Sequence, residues 1–415
     1  MIIHLTKELA PSATIVLTRI LLIEVALRIL IGANLKTLHL SGALDVSIGG
    51  PPEALAGLTS MLSDRGIEGS VIVIGTRRKD SPALVRVKAS NKDVLLLPSS
   101  RLGARWNFSL RSLPAIVRFA RKNDVIIIHG FYTFTLFAAI WLWPLYKKPI
   151  VLLPHGSLEP YQELTHKFRK RIFRSLIRNG ERIDCIAVAS EQEVHSVSAN
   201  HWIRSDIVCT GLGIDVPAET ETLIPFGENT KFLPYILFIG RIAEKKRLDL
   251  CIEAIRILSD IGNLITLVIA GEGNSSLRNR MILLTKEHSL EEVVHFVGQI
   301  DNDEKWELIS NASLVILPSE NENFAVAIAE SLAMGTPVVV STHVALAKVV
   351  EEYGAGVVIN ELAAVEVADA IRKVLLNRED MSRCALVAAE TLSWRHVGEK
   401  WVEMLEKVID GRRVV

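Results

Sequence analysis

The sequence predicts an α/β protein made of two doubly wound parallel-sheet domains that face each other across a cleft. Short apolar segments typical of buried strands alternate with helical segments in two series, which begin at Leu35–Leu40 and at Tyr235–Ile239. The segment between the two series, 218–233, is polar, as expected for a linker. A length of 415 residues also fits two domains.

The overall composition argues against several classes of protein. The formal net charge is +0, so no global field would attract nucleic acid. Mean hydropathy is +0.30, yet no span of 18 residues lacks a charge, which argues against an integral membrane protein. The 4 cysteines are scattered without a Cys-x-x-Cys pair. We therefore expect reduced thiols in a cytoplasm, with neither a structural zinc site nor a disulfide framework.

Residues 1–34 form an apolar N-terminal extension ahead of the first predicted strand. Within it, Thr14–Ile31 is almost entirely aliphatic but is interrupted by Arg19, Glu24 and Arg28. These charges make it a poor membrane-spanning helix and a poor signal peptide. Two interpretations stay open: an anchor that lies in a membrane interface, or an extension from a misassigned start codon.

A glycine-containing loop follows the first predicted strand and precedes a helix from Pro52 to Arg65. The loop carries Gly49 and Gly50 but lacks Gly-x-Gly-x-x-Gly, so a dinucleotide site is not supported. Taken alone the pair indicates a flexible loop before a helix, while its position after the first strand of a nucleotide-binding type of unit leaves a ligand-binding role open.

Two segments of the first half could face either the core or a membrane. Phe134–Tyr146 is strongly apolar and contains Trp141 and Trp143, which indicates a core helix or an exposed apolar patch. Lys167–Arg182 interleaves basic and apolar residues. That pattern fits an anionic membrane surface, or a solvated basic face whose apolar stripe faces the core.

The segment Ser319–Ser341 predicts a strand–loop–helix–strand unit. Asn323 can cap a helix formed by Phe324–Met334, and Gly335 followed by Pro337 would end that helix. The unit places Glu322 in the loop and Glu330 in the helix. Unpaired N–H groups in the first turn, Phe324–Val326, would form a site for a phosphate.

Glu322 and Glu330, with seven residues between them, resemble the signature of the retaining glycosyltransferases of family 4. The tail Gly335-Thr336-Pro337-Val338-Val339 is also similar to that signature. Ala325 stands where the family pattern has a glycine, and its methyl group could tighten a phosphate site.

Three further stretches extend the resemblance over about residues 35–410. His155 and Glu159 belong to Pro-His-Gly-Ser-Leu-Glu-Pro, which is similar to an element of a polysaccharide-building branch of the family. Gly240-Arg241, four residues and Lys246 match another motif, although Arg247 replaces its final glycine. Ile207–Pro217 is similar to the family's linker strand, with Leu212 in place of an asparagine.

The resemblance implies the GT-B architecture. The expected parts are a Rossmann-like acceptor-side domain at 35–217, a linker at 218–233, a nucleotide-sugar-binding domain at 234–392, and a final helix at 393–415 that crosses back to the first domain. The implied activity is transfer of a sugar from a nucleoside-diphosphate sugar to a glycan or lipid-linked acceptor in polysaccharide biosynthesis. Such an enzyme would act in the cytoplasm, at the inner face of the plasma membrane.

The resemblance also implies roles for individual residues. Arg241 and Lys246 would hold the donor diphosphate, Glu330 the ribose and Glu322 the transferred sugar, while His155 would complete the site on domain closure. The remaining expected donor-binding residues are Gly49, Gly50, Asn323, Phe324 and Ala325.

No metal or cofactor is implied, because cationic side chains and a helix N-terminus would offset the charge of the leaving diphosphate. Asp301-Asn302-Asp303 resembles a metal-binding pattern of a different glycosyltransferase architecture, but its position predicts helix capping. Two other classes stay open: a GT-B nucleotide-sugar epimerase and a catalytically silent glycan-binding protein.

Overall fold

The computed structural model describes residues 35–45, 50–76, 81–100, 107–159, 171, 173–175, 177, 182–200, 205–214 and 234–411. The predicted N-terminal extension, the predicted linker, Gly49 and most of Lys167–Arg182 lie outside these residues.

The first half of the chain forms a parallel sheet of 7 strands in the order β3-β2-β1-β4-β5-β6-β7. Its strands are β1 (Lys36–Ser41), β2 (Glu68–Ile74), β3 (Asp93–Leu97), β4 (Val125–His129), β5 (Ile150–Leu153), β6 (Cys185–Val188) and β7 (Asp206–Cys209). The helices are α1 (Gly50–Asp64), α2 (Pro82–Ser90), α3 (Ser112–Ala120), α4 (Phe134–Leu142) and α5 (Glu191–Ser198). We call this unit the first domain.

The second half forms a parallel sheet of 6 strands in the order β10-β9-β8-β11-β12-β13. Its strands are β8 (Tyr235–Ile239), β9 (Thr266–Ala270), β10 (Val294–Gly298), β11 (Leu314–Leu317), β12 (Val338–Ser341) and β13 (Gly356–Ile359). The helices are α6 (Leu248–Asp260), α7 (Ser275–Glu287), α8 (Asn302–Asn311), α9 (Val326–Ala333), α10 (Ala347–Tyr353), α11 (Ala364–Leu376) and α12 (Arg378–Thr391). We call this unit the second domain.

The predicted fold class, two doubly wound α/β domains, is confirmed. The central strands of both sheets are buried along their whole length, as in β4 (VIIIH) and β8 (YILFI). A parallel sheet covered by helices on both faces requires such continuous apolar runs. In each sheet the strand order reverses near the middle. The reversal lies between β1 and β4 in the first sheet and between β8 and β11 in the second. At such a switch point the loops after the strands diverge and leave a crevice for a ligand.

The last helix, α13 (Trp394–Ile409), returns to the first domain and packs on α1. A Cβ atom at Gly57 of α1 would lie 2.5 Å from Nε1 of Trp394, so only a glycine allows this close approach. The backbone N–H of Ile214 donates to the carbonyl of Leu392 at 3.0 Å and ties the same junction. The packing therefore couples the end of the chain to the helix that begins at Gly50.

The apolar segment Phe134–Tyr146 is mainly a core element. Phe134, Leu136 and Ile140 of α4 are buried in the first-domain core. Trp141 and Leu145 are 61% and 52% exposed, which leaves a small apolar patch on the surface. In the part of the chain that the structure describes, no helix combines the length and apolar character needed to cross a bilayer.

Only part of the basic segment is described. Phe173 and Ile177 are buried in the first-domain core, so its apolar stripe faces inward there. Arg171 is exposed, whereas Arg174 donates to the Tyr132 hydroxyl at 2.9 Å. Arg182 lies over the ring of Trp143 at 4.0 Å. These contacts support the core-facing interpretation for the described residues.

Candidate active site

Two helix N-termini from different domains meet at the cleft. Gly50 begins α1, and a Cβ atom placed on it would lie 3.7 Å from Cγ2 of Val326, the first residue of α9. The N-cap residue of α9, Ala325, has no side-chain oxygen, so within the described residues no side-chain cap satisfies the N–H groups of Val326 and Ala327. Both helices direct partial positive charge toward the same place, which suits an anionic ligand such as a diphosphate.

The second-domain wall carries a partly buried cluster in which two lysines surround Glu322. Nζ of Lys246 lies 3.1 Å from Oε1 of Glu322, and Nζ of Lys245 lies 3.6 Å from the same oxygen. Burial alone would raise the pKa of the Glu322 carboxyl, but the charges and hydrogen bonds of Lys246 and Lys245 lower it below its ordinary value. Glu322 is therefore a carboxylate at neutral pH.

The turn after β8 places Lys246 in this cluster. Gly240 has φ of +139°, and a Cβ atom there would lie 3.2 Å from Nζ of Lys246, so the missing side chain makes room for the lysine. Behind it, the Gly271-Glu272-Gly273 turn packs so closely that a Cβ atom at Gly271 would lie 2.2 Å from the Gly240 carbonyl oxygen. Two glycine-containing turns thus hold the lysine over the cleft.

Arg241 and Arg247 behave differently from Lys246. The Arg241 side chain is exposed and makes no ion pair or hydrogen bond within the described residues, which leaves it available to a ligand. Arg247 has φ of 50°, in the left-handed region, and its guanidinium pairs with Asp249 at 2.8 Å and Glu320 at 3.5 Å. The residue in place of the family glycine therefore keeps the backbone conformation that glycine favours.

The loop between β11 and α9 is held by its own polar groups. The buried hydroxyl of Ser319 donates to the carbonyl of Lys245 at 2.9 Å. The Glu322 N–H donates to the His343 carbonyl at 3.2 Å, and the Ala345 N–H donates to the Glu322 carbonyl at 3.1 Å. The backbone of Glu322 is thus fixed on both sides before any substrate arrives.

The prediction that Asn323 caps the helix at Phe324 is wrong. The helix begins at Val326, and its N-cap is Ala325, with φ of 62° in the left-handed region. The side chains of Phe324 and Ala325 are buried in the second-domain core, so they can offer a ligand only backbone groups. The methyl group of Ala325 therefore packs into the second-domain core.

Asn323 and Asn321 instead reach across to the first domain. The two oxygens of the buried Glu193 carboxyl accept from the N–H groups of Gly156, at 2.6 Å, and Ala189, at 2.9 Å, and the nearby Asn323 amide helps to lower its pKa against the effect of burial. Burial raises the pKa of Glu159 to about 7, although Lys245 and the Asn321 amide act in the opposite direction. The loop of Glu322 therefore lies against the loop of His155, where a Cβ atom on Gly156 would be 3.2 Å from Cβ of Asn323.

Glu330 lies in α9 with its carboxyl buried and bonded to Lys305 of α8 at 2.6 Å. Burial raises the pKa of Glu330 in spite of the lysine, and the charges of Glu53 and Arg86 in the first domain also reach it. Lys305 and Glu330 therefore form a second largely buried ion pair, which joins α8 to α9.

His155 follows β5 at the cleft edge of the first domain and has φ of 52°. Its Nε2 lies 3.1 Å from Nδ1 of the buried His129. Burial lowers the pKa of His155 to about 4, so the imidazole is neutral at neutral pH. Gly156, the next residue, approaches the second domain: a Cβ atom on it would lie 3.2 Å from Cβ of Asn323.

Sequence reasoning did not single out several residues of this arrangement. Three of them lie beside predicted site residues that are distant from them in the sequence: Lys245, Lys305 and Glu193. Asp301 caps α8 and forms a capping box with Glu304, as predicted. Gly49 lies outside the described residues.

The comparisons with known proteins cover both domains. The profile of Glycosyltransferase Family 4 matches residues 48–216, and that of Glycosyl transferases group 1 matches residues 222–390. The chain belongs to the family 4 glycosyltransferases. It is therefore an enzyme with the GT-B fold, as the resemblance of its motifs implies.

Among the relatives of this glycosyltransferase is the GDP-mannose:cellobiosyl-diphosphopolyprenol alpha-mannosyltransferase of Komagataeibacter xylinus. It is 22% identical over 91% of this chain and 94% of that protein. The GDP-mannose-dependent alpha-(1-6)-phosphatidylinositol dimannoside mannosyltransferase of Mycobacterium tuberculosis is 33% identical, but over only 41% of this chain and 43% of that protein. Apart from the first relative, the chain matches about two-fifths of the length of the curated relatives that follow it.

The fold of this glycosyltransferase is shared with solved structures. The crystal structure of Anabaena Alr3699/HepE in complex with UDP and glucose superimposes with a TM-score of 0.71 over 90% of this chain and 100% of that chain, at 17% identity. The crystal structure of WaaG, a glycosyltransferase involved in lipopolysaccharide biosynthesis, gives a TM-score of 0.64 at 15% identity.

Proposed function

We propose that this glycosyltransferase moves a sugar, with retention of anomeric configuration, from a nucleoside-diphosphate sugar to a glycan or lipid-linked acceptor in polysaccharide biosynthesis. The observation that carries the proposal is the meeting of the starts of α1 and α9 beside the Lys245–Lys246–Glu322 cluster. Two helix N-termini and two lysines would offset the negative charge that grows on a leaving diphosphate.

Each part of the donor then has a partner in the cleft. The diphosphate would lie between the two helix starts, where Lys246 and the free side chain of Arg241 reach it. Glu322, kept ionised by its lysines, would accept hydrogen bonds from hydroxyl groups of the transferred sugar. Glu330 would bind the ribose on the other side of α9, and Lys305 would hold its carboxyl in place.

The relatives support a lipid-linked acceptor but leave the nucleotide base open. One relative's name specifies GDP-mannose and a diphosphopolyprenol acceptor, whereas a structural neighbour binds UDP and glucose. A screen should therefore include both guanine and uracil donors, with and without a polyprenyl-diphosphate glycan. Transfer needs both substrates, an epimerase changes the donor alone, and a silent binding protein changes neither.

The stereochemistry and the metal requirement are tested in the same assay. Retention predicts an α-linked product from an α-linked donor, which proton NMR of the first product formed distinguishes from the β-linked one. Metal independence is expected because the lysines and helix starts supply the positive charge. An excess of chelator should leave the rate unchanged, and activity lost in chelator and restored by magnesium or manganese would contradict this part.

Peripheral membrane contact is part of the proposal for a lipid-linked acceptor. The exposed Trp141 and Leu145 and the exposed Arg171 provide apolar and basic groups on the first domain. Arg171→Glu should weaken binding to anionic vesicles by roughly 5-fold or more, since each basic residue near such a surface contributes about 1 kcal/mol. Arg174 is unsuitable for this test because it bonds Tyr132. Vesicle binding that ignores both Arg171→Glu and added salt would contradict an electrostatic membrane contact.

A further inference from the structure

Three histidines form a continuous chain through the first domain: His39 in β1, His129 in the neighbouring β4, and His155 just after β5. Nε2 of His39 lies 3.2 Å from the hydroxyl of Thr37, and Nδ1 of His39 lies 3.2 Å from Nε2 of His129. Nδ1 of His129 in turn lies 3.1 Å from Nε2 of His155. The rings are stacked pairwise, with centroids 5.5 Å and 5.3 Å apart. The chain runs from the buried interior of β1 to the cleft.

All three imidazoles are neutral at neutral pH. Burial lowers the pKa of His39 to about 3 and that of His155 to about 4, and it lowers the pKa of His129 well below its ordinary value. A neutral imidazole has one N–H donor and one acceptor nitrogen. If one ring donates through Nε2–H and accepts at Nδ1, the ring bonded to it must do the same. All three rings must therefore have the same tautomer.

The far end of the chain selects the direction. The Thr37 hydroxyl also lies 3.5 Å from the carbonyl of Glu68, which can only accept a hydrogen bond. The hydroxyl has a single proton, so it satisfies both contacts only by donating to Glu68 and accepting from Nε2–H of His39. It then follows that Nε2–H of His129 donates to Nδ1 of His39, and Nε2–H of His155 donates to Nδ1 of His129.

We propose that Thr37, His39 and His129 are positioning residues that fix His155 as the Nε2–H tautomer, with the lone pair of Nδ1 available to accept a substrate hydroxyl. Among the described residues Nδ1 of His155 has no hydrogen-bond partner, and the residue is only partly buried. A reversed chain would present an N–H donor at the same place. The buried chain thus determines whether Nδ1 of His155 accepts a hydrogen bond from a substrate hydroxyl or donates one to it.

The tautomers can be measured directly on the intact protein without a substrate. Selective nitrogen-15 labelling of histidine and two-bond proton–nitrogen correlation spectra distinguish Nε2–H from Nδ1–H rings. Signals are assigned by replacing His39, His129 and His155 with Gln one at a time. We expect all three rings as the Nε2–H tautomer at neutral pH. One ring in the opposite tautomer, or His155 as Nδ1–H, would overturn the proposal.

Thr37→Val tests the coupling over the length of the chain. The substitution keeps the side-chain shape and removes the hydroxyl that orients His39, so the Nδ1–H form should become populated in all three rings together. Thr285→Val is a matched control, because Thr285 is also buried and its hydroxyl bonds only the carbonyl of Met281 in the second domain. A change at His39 that leaves His155 unaltered in Thr37→Val would show that the chain does not transmit direction.

The functional consequence rests on the proposed transferase activity. Thr37→Val should lower kcat about 2- to 10-fold, the effect of one weakened neutral hydrogen bond, with KM for the donor unchanged. Loss of transferase activity in every assay of the wild-type protein would contradict the proposed function but leave the tautomer measurement valid. An unchanged kcat in a Thr37→Val protein whose His155 tautomer has shifted would overturn the role in substrate contact.

Discussion

The two walls of the cleft use different chemistry to face one substrate. The second-domain wall is ionic, since Glu322 lies against Lys246 and Lys245 at 3.1 Å and 3.6 Å. The first-domain wall is neutral, since His155 ends a chain of buried, uncharged imidazoles. The difference indicates a division of tasks in which one domain offsets the charge of the donor and the other orients uncharged hydroxyl groups.

The contacts between the walls reinforce this division. Asn323 lies against Gly156 of the first domain, and the neutral amides of Asn323 and Asn321 act to lower the pKa values of Glu193 and Glu159. Burial raises the pKa of both carboxyl groups, to about 7 for Glu159, so the ionisation of this junction is disfavoured. The ionised cluster of Glu322, Lys245 and Lys246 therefore faces a junction of low charge, beside the place proposed for the diphosphate.

The largest expected effect is on turnover, and it should differ between the residues that the two walls direct at the transferred sugar. Glu322→Gln should lower turnover about 10²- to 10³-fold, because it removes a preorganised charge in a buried site. His155→Ala should cost less, about 10-fold, because it removes a neutral hydrogen bond. Calorimetric affinity for the free nucleoside diphosphate should stay nearly intact in both variants, since that product lacks the sugar. Equal losses of affinity and turnover would place these residues in the nucleotide pocket instead.

A second prediction concerns the two cations proposed for the diphosphate. Lys246→Ala and Arg241→Ala should each reduce kcat/KM for the donor about 10- to 150-fold, because each removes a charge-assisted contact worth ~1.5–3 kcal/mol. Lys246→Ala should be the more harmful, since it also removes the nearest partner of Glu322. The exposed Lys286 of α7 provides a control, and Lys286→Ala should have no effect. Normal rates at limiting donor in both variants would remove the two residues from the diphosphate site.

The fold was more predictable than the site, because its signals are local. The buried strand β8 has the predicted bounds, since five consecutive apolar residues indicate a covered parallel strand. The edge strand β3 was not predicted, because it is only partly buried and lacks that signal. The left-handed conformation at Ala325 was also not predicted, since alanine does not mark positive φ as glycine does.

The partners of the site residues could not be predicted, because they depend on distant contacts. Lys305 and Glu330 are 25 residues apart, and His39 and His129 are 90 apart. No periodicity in one sequence connects such pairs. They come together because parallel strands end at one edge of a sheet, and because α8 and α9 flank β11 in the second domain.

A third, smaller effect is a shift in pH dependence. The pKa of Glu322 lies below its ordinary value of about 4.3, so its carboxylate and the attached ion pair persist as the pH falls to the lowered pKa. In Lys246→Ala less positive charge remains to counter the effect of burial, so the pKa of Glu322 should rise. The acid limb of the kcat profile should then move to higher pH. Lys305→Ala is the comparison, because it removes the partner of Glu330 instead. An acid limb that Lys246→Ala does not move would mean that the ionisation of Glu322 does not control turnover.

The smallest expected effect compares the two residues that replace family glycines. Ala325 and Arg247 both have positive φ, 62° and 50°, a conformation that costs a residue with a Cβ atom about 1–2 kcal/mol. Glycine removes that strain but loses roughly 0.5–1 kcal/mol in chain entropy, so Ala325→Gly should raise the free energy of unfolding by up to about 1 kcal/mol. Arg247→Gly should gain less, because it also removes the ion pair with Asp249, an interaction of about 0.2–1 kcal/mol at a partly exposed site. Urea denaturation of both variants measures the difference.

Since the Ala325 methyl group is buried, KM for the donor should not change in Ala325→Gly. A changed KM, or a larger gain in Arg247→Gly than in Ala325→Gly, would contradict this account of the two turns.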